Sequence, residues 1–481
     1  MRVGKAQDNI DAAMEVFFRL LDAAKKRFLF QDGAMYVYYE GAWDLLTKDE
    51  EVKFNPMISD ACSEVGCDYA TRIAPLWLEI RTRVTPTKKV RFDRKPIVAC
   101  SNGSLELSDE VFMEWDHEHY TTRRLVIAYD ENARCPEWEA MLTRMLESPT
   151  RSKKETAAVA RFLQQWVGIN FVGPAAKAKN RNLRKGIILD GPSHSGKSTF
   201  ANVMRELYGK ARVVSPSIDD LSSQFGKTSL LNAQAIITDE GAGINSKGDA
   251  KVLKAIVTGE PMMVDRKFQT SINDFEFNGA VLFTTNTLPE IADETDAIYN
   301  RLLVVRMERV FTEADAIRDF GQADPMKHLA DHNEFPGILN WALDGFGQAW
   351  DQNKFDMPAE MTDAAKSFRM KNDPVFGFLH EAVEADNKMV VPANVLTALF
   401  AEYALENYNV KIPAKKAVNS LVRNVKDVIP SVTYENPNGG GQVLSYVGLR
   451  LSGVGMAYWT RVQTKALPSI EGVRKPHSPR A

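Results

Sequence analysis

The sequence predicts an α/β chain built around a parallel sheet, with mainly helical segments ahead of it and a small helix-plus-hairpin unit behind it. Three observations predict this. Short apolar runs, Ile187-Ile188-Leu189, Ala235-Ile236-Ile237, Ala280-Val281-Leu282-Phe283 and Leu302-Leu303-Val304-Val305, alternate with longer helical patterns. Buried parallel strands joined by crossover helices have that texture. A glycine-rich stretch, Gly191-Pro192-Ser193-His194-Ser195-Gly196-Lys197-Ser198, follows the first run and precedes a helical pattern. Towards the C-terminal end, Ser431-Val432-Thr433-Tyr434 and Val443-Leu444-Ser445-Tyr446-Val447 flank Asn438-Gly439-Gly440-Gly441, a β-hairpin signal.

The elements follow in order. Ile10, Met14, Phe17, Phe18 and Leu21 recur at three- and four-residue steps and predict an amphipathic helix. Met35-Tyr36-Val37-Tyr38-Tyr39 reads as a strand that turns at Glu40-Gly41 and returns through Ala42-Trp43. Helices are expected over 137–146 and 155–167, and the aperiodic stretch 173–182 reads as a linker. Beyond the sheet the pattern is mostly helical over 312–370, including 337–350. A further unit starts near Asp373-Pro374, with helices over 375–386, 395–408 and 415–428 before the hairpin. The last 28 residues, with Pro468, Pro476 and Pro479, read as a mobile tail.

Composition bounds the function. The 481 residues correspond to about three domains at ~150 residues each. Hydrophobic residues at 44% and charged residues at 26% are enough to build real cores, which excludes collagen-like and wholly disordered designs. No apolar run approaches the ~18 residues that a membrane span needs. Met1-Arg2-Val3-Gly4-Lys5-Ala6-Gln7-Asp8 has no apolar run behind its charges, so no secretory leader is expected. Four cysteines without a Cys-x-x-Cys pair suit a reducing, cytoplasmic compartment and argue against structural zinc. Asp116-His117-Glu118-His119 is read as ordinary surface polarity rather than as metal ligands. With a net charge of −3, any nucleic-acid contact must come from local patches.

The glycine stretch fits G-x-x-x-x-G-K-[ST] at every fixed position. A strand, a glycine loop and a helix N-terminus together aim backbone N–H groups and a positive helix end at phosphate oxygens. Residues Gly191, Pro192, Ser193, His194, Ser195, Gly196, Lys197, Ser198 and Thr199 are therefore the expected nucleotide-binding loop. Lys197 would neutralise the β- and γ-phosphates of ATP, and Ser198 would hold Mg²⁺. Forty-two residues past Lys197, the run Ala235-Ile236-Ile237-Thr238 ends in Asp239-Glu240. Asp239 would organise the Mg²⁺ shell, and Glu240 would polarise an attacking water.

The next strand ends at Asn286, whose amide can orient that water, and Arg301 stands just before another buried strand. An arginine can stabilise charge developing on a transferred phosphoryl group, in its own subunit or a neighbour's; a surface ion pair is the alternative reading of Arg301. Between the acids and Asn286, a turn at Gly259-Glu260-Pro261 leads into Met262-Met263-Val264-Asp265-Arg266-Lys267-Phe268. That pattern predicts a projecting hairpin whose Arg266, Lys267 and Phe268 suit a phosphate backbone and base or sugar faces, or else an edge hairpin with solvated basic residues.

The order P-loop, Ile236-Ile237-Thr238-Asp239-Glu240, basic hairpin, Asn286, then Arg301-Leu302 resembles the superfamily 3 helicases. More narrowly, it is similar to the phage and plasmid primase–helicase group and its poxvirus relative. Cys100-Ser101-Asn102-Gly103-Ser104-Leu105-Glu106-Leu107 resembles the Asn-Gly-x-Leu-(Asp/Glu)-Leu element of that group's N-terminal domain. Tyr129-Asp130-Glu131-Asn132-Ala133-Arg134-Cys135-Pro136-Glu137-Trp138 and Leu163-Gln164-Gln165-Trp166-Val167-Gly168 do so too. Phe335-Pro336-Gly337-Ile338-Leu339-Asn340-Trp341-Ala342 and Asn372-Asp373-Pro374-Val375 are also typical. The resemblance covers roughly residues 95 to 450.

It implies an AAA+-like P-loop ATPase core over 173–312, a mainly helical, collar-like N-terminal domain over 1–172 and a helical subdomain over 313–372. A C-terminal winged-helix domain would span 373–453, leaving 454–481 as the flexible tail. It further implies a hexameric ring with ATP between subunits. Lys197, Ser198, Asp239, Glu240 and Asn286 would then belong to one subunit, with Arg301 the finger entering its neighbour's site. Arg184 or Lys185 is a second candidate for reaching across. The Lys267 hairpin is similar to the pore hairpin of the papillomavirus helicase, with Phe268 where that protein has His, which keeps stacking but removes a hydrogen-bond donor. Lys415 and Lys416 at the candidate recognition helix would meet DNA phosphates, although a solvated helix face fits equally well.

Family members often carry a primase domain, for which the ~95 residues preceding the recognisable part are too few. The expected protein is thus an ATP- and Mg²⁺-dependent replicative DNA helicase of a phage, plasmid or related element, acting in the host bacterial cytoplasm. It would track single-stranded or forked DNA in the 3′-to-5′ sense, partnered with a separate primase or polymerase. The rivals are an origin-binding initiator without processive unwinding and a P-loop kinase for a small metabolite, which would need neither the hairpin nor a neighbour's Arg301.

Overall fold

Apolar runs that begin and end together can lie side by side in one buried sheet, and four of the runs above do so. In this computed structural model, residues 2–238, 247–267, 271–289, 291, 296–320, 322–435 and 444–464 are described. The central sheet has five strands, labelled in chain order β1 (Gly186–Asp190), β2 (Val213–Val214), β3 (Ala235–Thr238), β4 (Ala280–Thr285) and β5 (Leu302–Arg306). Their order across the sheet is β5-β1-β4-β3-β2, and every pairing is parallel. Both faces are covered, which is why the strands read as continuous apolar runs instead of alternating ones. The two-residue β2 carries too little pattern to be seen in the sequence.

The chain divides into two compact units, residues 1–289 with 295–365, and residues 290–294 with 366–481. In the first, helix Arg2–Ala23 buries Ile10, Ala13, Met14, Phe17 and Leu21 as its periodicity predicts. The segment expected to be mainly helical also holds two three-stranded antiparallel sheets. One comprises Arg27–Gln31, Ala34–Tyr39 and Ala42–Leu46; the other Ile97–Cys100, Gly103–Glu106 and Val111–Met113. The turn at Glu40-Gly41 has positive φ at both residues, the backbone that a tight two-residue hairpin requires.

Side chains anchor the first of these sheets, and the segment that follows the second, to the parallel sheet. Asn232 accepts from Leu45 N–H at 2.9 Å and donates to Leu45 C=O at 2.8 Å, pairing like a strand residue. Gln234 bonds Arg124 N–H and Thr122 C=O in the same way, and Arg212 grips both oxygens of Asp44. Asn232 and Gln234 lie immediately ahead of β3. A shared core joins Trp138, Trp166, Phe200 and Phe346 across helices Pro136–Leu146, Lys153–Phe171, Lys197–Tyr208 and Phe335–Gln352.

The expected linker over 173–182 is not one. Residues Gly173–Lys179 form a helix and Arg181–Leu183 a further turn, with Gly173, Ala175 and Ala176 buried. Alanine and glycine give little periodic signal, yet their smallness is what lets this helix pack: a Cβ on Gly173 would lie 1.9 Å from Asn278 C=O.

The second unit corrects two further expectations. The helix expected over 375–386 ends at Glu381 (Pro374–Glu381), and Val383–Pro392 is a strand. Part of the expected tail, Gly453–Thr464, is a helix whose Tyr458 and Val462 enter the core. Helices Ala393–Tyr408 and Ala414–Val428 and the strands Thr433–Glu435 and Ser445–Leu451 match the sequence reading; the hairpin tip lies outside the described residues. The sheet order is Val383–Pro392, Ser445–Leu451, Thr433–Glu435, all antiparallel. Asp373 caps the first helix by accepting from Val375 and Phe376 N–H, with Pro374 at its first position, which accounts physically for the Asp-Pro pair.

Gly173→Ala should lower the stability of the first unit by about 1–3 kcal/mol, the usual effect of overpacking a close contact. Chemical denaturation of the two proteins checks this, and an unchanged midpoint would contradict the packing described.

Candidate phosphate-binding site

Asp190 ends β1, Gly191 to Gly196 form a loop, and helix Lys197–Tyr208 starts at once. The loop turns on two left-handed residues, His194 at φ +61° and Gly196 at φ +91°. Glycine suits the second position twice over, since a Cβ there would also meet Met145 Sδ at 2.4 Å. Gly191 N–H donates to Thr285 C=O at 3.2 Å, extending the β1–β4 pairing into the loop.

That pairing brings Asn286, one residue beyond β4, onto the loop. Lys197 Nζ donates to Asn286 Oδ1 at 3.1 Å, to Gly191 C=O at 2.8 Å and to Pro192 C=O at 2.6 Å, and it lies 3.3 Å from Ser195 Oγ. Its residue exposure is only 7%. Burial draws the Lys197 pKa down, and Asp190 opposes the shift. A buried ammonium held by carbonyls is poised to exchange them for an anion. A cavity of about 730 Å³ opens above it, lined by Ser193 to Thr199, Thr284 to Asn286, Met141, Met145, Phe311, Thr312, Glu313, Ala323 and Pro325. The exposed Ser198 hydroxyl is part of this lining. β3 pairs with β4 in register Phe283↔Thr238 and ends at Thr238; Asp239 and Glu240 lie outside the described residues.

Arg301 sits elsewhere. The register Leu302↔Gly186 and Arg306↔Asp190 puts it at the opposite end of the sheet from the loop, a strand length of about 17 Å away. It donates to Arg181 C=O at 2.5 Å, and Lys185 Nζ donates to Asn300 C=O. Arg184, buried, donates to Ile256 C=O at 2.6 Å and to Phe277 C=O. These cations crowd one another. Burial, then Arg301, pushes Lys185 down to about 8, and burial with Arg301 and Arg123 pushes Arg184 down to about 9. Arg301 itself is lowered by burial and by Arg181, against Glu260.

The expected hairpin exists as strands Met262–Val264 and Ile272–Phe275. Arg266 is half-buried and interacts with Tyr36 and Glu51, whereas Lys267 is exposed; Phe268 lies outside the described residues. Lys415 and Lys416 are exposed at the start of helix Ala414–Val428, beside a cleft of about 490 Å³ that also includes Asn419 and Arg423. Sequence reasoning missed Met141, Met145, Phe311 and Pro325 as cavity residues, because their spacing signals only a packed helix face and a loop.

Fold and loop define a mixed α/β protein with a parallel five-stranded sheet, consistent with a P-loop-like core. A family model described as D5 N terminal like matches residues 19–147, and one described as a family of unknown function (DUF5906) matches residues 189–301. Both are typical of phage and plasmid primase–helicase-like proteins, and they point to a replication-related function. No curated protein sequence matches the chain. Two solved structures described as the A form apo structure of the NrS-1 C terminal region are 12% identical to it. Their TM-scores are 0.43 and 0.44, over 90% of this chain and 99% of theirs. An apo structure of NrS-1 C terminal region (305-718) is 11% identical, with a TM-score of 0.41 over 91% and 99%. Among the described residues, no helix is long and apolar enough to cross a membrane.

The crowded Lys185 gives a pH prediction. Its folded pKa lies below the value of about 10.4 expected in the unfolded chain, so between pH 8 and 10 the unfolded state binds more protons and the destabilisation by this charge is relieved as pH rises. Lys185→Met should therefore melt at a higher temperature than wild type at pH 7, and the gap should narrow by pH 10. A gap that widens with pH in thermal melts would contradict the assignment.

Proposed function

We propose that the chain is an ATP-dependent replicative DNA helicase of the superfamily 3 kind, working as a ring, hexameric by resemblance, on single-stranded or forked DNA. The observation that carries this reading is the separation of two charge centres along one sheet. Lys197 and Asn286 meet at one end, 3.1 Å apart, while Arg301, Lys185 and Arg184 crowd the other. An arginine about 17 Å from its own loop cannot touch a phosphate held there. Cations that depress one another are stabilised when an anion approaches, and the terminal phosphate of a nucleotide in an adjacent copy has the required charge.

An AAA+-like core is supported by the order β5-β1-β4-β3-β2, in which Asn286 follows a strand lying between the loop strand and the strand leading to Asp239-Glu240. A winged-helix reading of the second unit is supported by its succession of helix, strand, two helices and a strand pair. Lys197 would bind the β- and γ-phosphates. The Ser198 hydroxyl is a hard oxygen ligand of the kind Mg²⁺ takes, and an ion that keeps most of its waters needs only one or two such protein groups. When bound, Mg²⁺ supplies charge neutralisation across the phosphates. Asp239 would be its second partner, Glu240 would receive the proton of the attacking water, and Asn286 would orient that water once Lys197 has turned to phosphate. Nucleotide-driven motion would carry the Lys267 hairpin along DNA; Arg266, engaged with Tyr36 and Glu51, would serve as its hinge-side anchor. The basic cleft at Lys415 and Lys416 favours one second reading, an initiator that grips origin DNA without processive unwinding.

Mixed-subunit turnover tests the proposal. Lys197→Ala and Arg301→Ala should each lose about 10³-fold or more in ATP hydrolysis, with Arg301→Ala still binding nucleotide, and a mixture of the two should regain part of the activity. Lys267→Ala should keep basal hydrolysis and lose its stimulation by DNA. An Arg301→Ala protein that hydrolyses ATP at the wild-type rate overturns the shared-site reading.

A further inference from the structure

Two of the four cysteines meet at the end of one helix. Helix Asn55–Glu64 is followed by a turn at Gly66, whose φ of +67° is left-handed. Gly66 N–H donates to Ser63 C=O at 3.3 Å, and Cys67 N–H donates to Cys62 C=O at 2.8 Å. Helix ends closed by these two bonds usually also pack the side chains of the outer pair against each other, as an apolar contact. Here both members of that pair are cysteines, and their thiol groups are hydrogen-bonded to each other. Both are free thiols. Cys62 is fully buried beside Ile58, Ala61, Leu76 and Ile80, in a core shared by helices Arg2–Ala23, Asn55–Glu64 and Tyr69–Arg83. Cys67 lies at the edge of that core and is partly open to solvent. Cys100 and Cys135 belong to the other core, and no sulfur is among the groups that act on either.

We infer that Cys62 and Cys67 are a reversible thiol-modification site, closing to a disulfide by exchange with a low-molecular-weight disulfide such as oxidised glutathione. A disulfide needs Cα atoms about 4.4–6.8 Å apart, and two residues joined by a backbone hydrogen bond with their side chains in contact meet that need without moving the chain. Cys67, the open member, gives its proton to solvent and attacks one sulfur of the small disulfide. That S–S bond breaks, one small thiolate leaves and takes up a proton, and Cys67 is left in a mixed disulfide. Cys62 then attacks the Cys67 sulfur and expels the second small thiol. The chain gives up two electrons and two protons, and the small disulfide receives them. Exposure and charge set this order. Burial, then Cys67, then Asp68 push the Cys62 thiol up to about 11, so Cys62 does not start the exchange. The Cys67 contribution ends once its sulfur is held in the mixed disulfide, which eases the second step. Closure spans only six residues, Cys62 to Cys67, and so short a loop gains little from chain entropy. An excess of small thiol therefore reopens it.

Equilibration of the full chain with mixtures of oxidised and reduced glutathione tests this, with free thiols trapped by iodoacetamide before trypsin digestion and mass spectrometry. The tryptic peptide 54–72 carries Cys62 and Cys67 and no other cysteine. It should become two hydrogen masses lighter than its dithiol form and take up no iodoacetamide, and excess reduced glutathione should reverse both changes. Half-closure should need about a tenfold lower ratio of oxidised to reduced glutathione in the folded chain than in urea, because the native contact favours the bond. Cys62→Ser should instead retain one glutathione on Cys67, and Cys67→Ser should leave Cys62 unmodified. A folded wild-type chain whose peptide stays a dithiol under oxidised glutathione, holds glutathione without closing, or closes no more readily than in urea overturns the inference. These wild-type measurements do not depend on either variant folding.

Discussion

Two parallel strands hydrogen-bonded side by side, Gly186–Asp190 and Ala280–Thr285, determine where the candidate site lies in this chain. Because Thr285 pairs with Asp190, the residue after one strand faces the loop after the other, and Lys197 and Asn286 meet as a consequence. A slip of one residue would turn the strand faces over and remove the contact. The Lys197 ammonium bonds two loop carbonyls and one amide oxygen, so the loop is folded around a cation. Preorganisation of this kind reduces the ordering that a ligand must impose.

The same strands, followed the other way, lead to an electrostatic problem. Arg184, Lys185 and Arg301 lie together at the far end, where burial lowers all three pKa values, with Arg301 lowering those of Arg184 and Lys185 further and Arg181 lowering that of Arg301. Glu276 and Glu260 oppose this only in part. Groups held in such a state stabilise a structure poorly by themselves and respond strongly to an approaching negative charge. In the proposed shared site, the loop at one end and the cations at the other would meet across a head-to-tail contact between copies.

Much of this was legible in the sequence, for identifiable reasons. Buried parallel strands leave unbroken apolar runs, so β1, β3, β4 and β5 were visible, while the two residues of β2 were too few to register. The loop was legible because its glycines and Lys197 are each fixed by a separate requirement of backbone or charge. Residues 173–179 misled because alanines pack without leaving a periodic trace. The helix 453–464 misled because Tyr458 and Val462 are spaced among glycines and polar residues. Val383–Pro392 was hidden by exposure, since most of its side chains face solvent and the strand alternation is lost. Of the site, Lys197 and Asn286 were each legible as site residues, but their direct contact was not, since the Asn286 amide reads in the sequence as a group that orients a water beside the two acids. The cavity beside Met141 and Met145 could not be foreseen, because an i,i+4 pair of methionines reads as core, and both are buried in it.

The central claim is that a nucleotide is completed by two copies of the chain. It is tested most directly by ATP turnover per chain, measured across protein concentrations in samples whose sedimentation is followed in parallel. The account predicts negligible turnover while the chain sediments as a monomer, and a steep rise as larger species form. A monomer that turns over ATP at the same rate per chain as the assembled protein would contradict it.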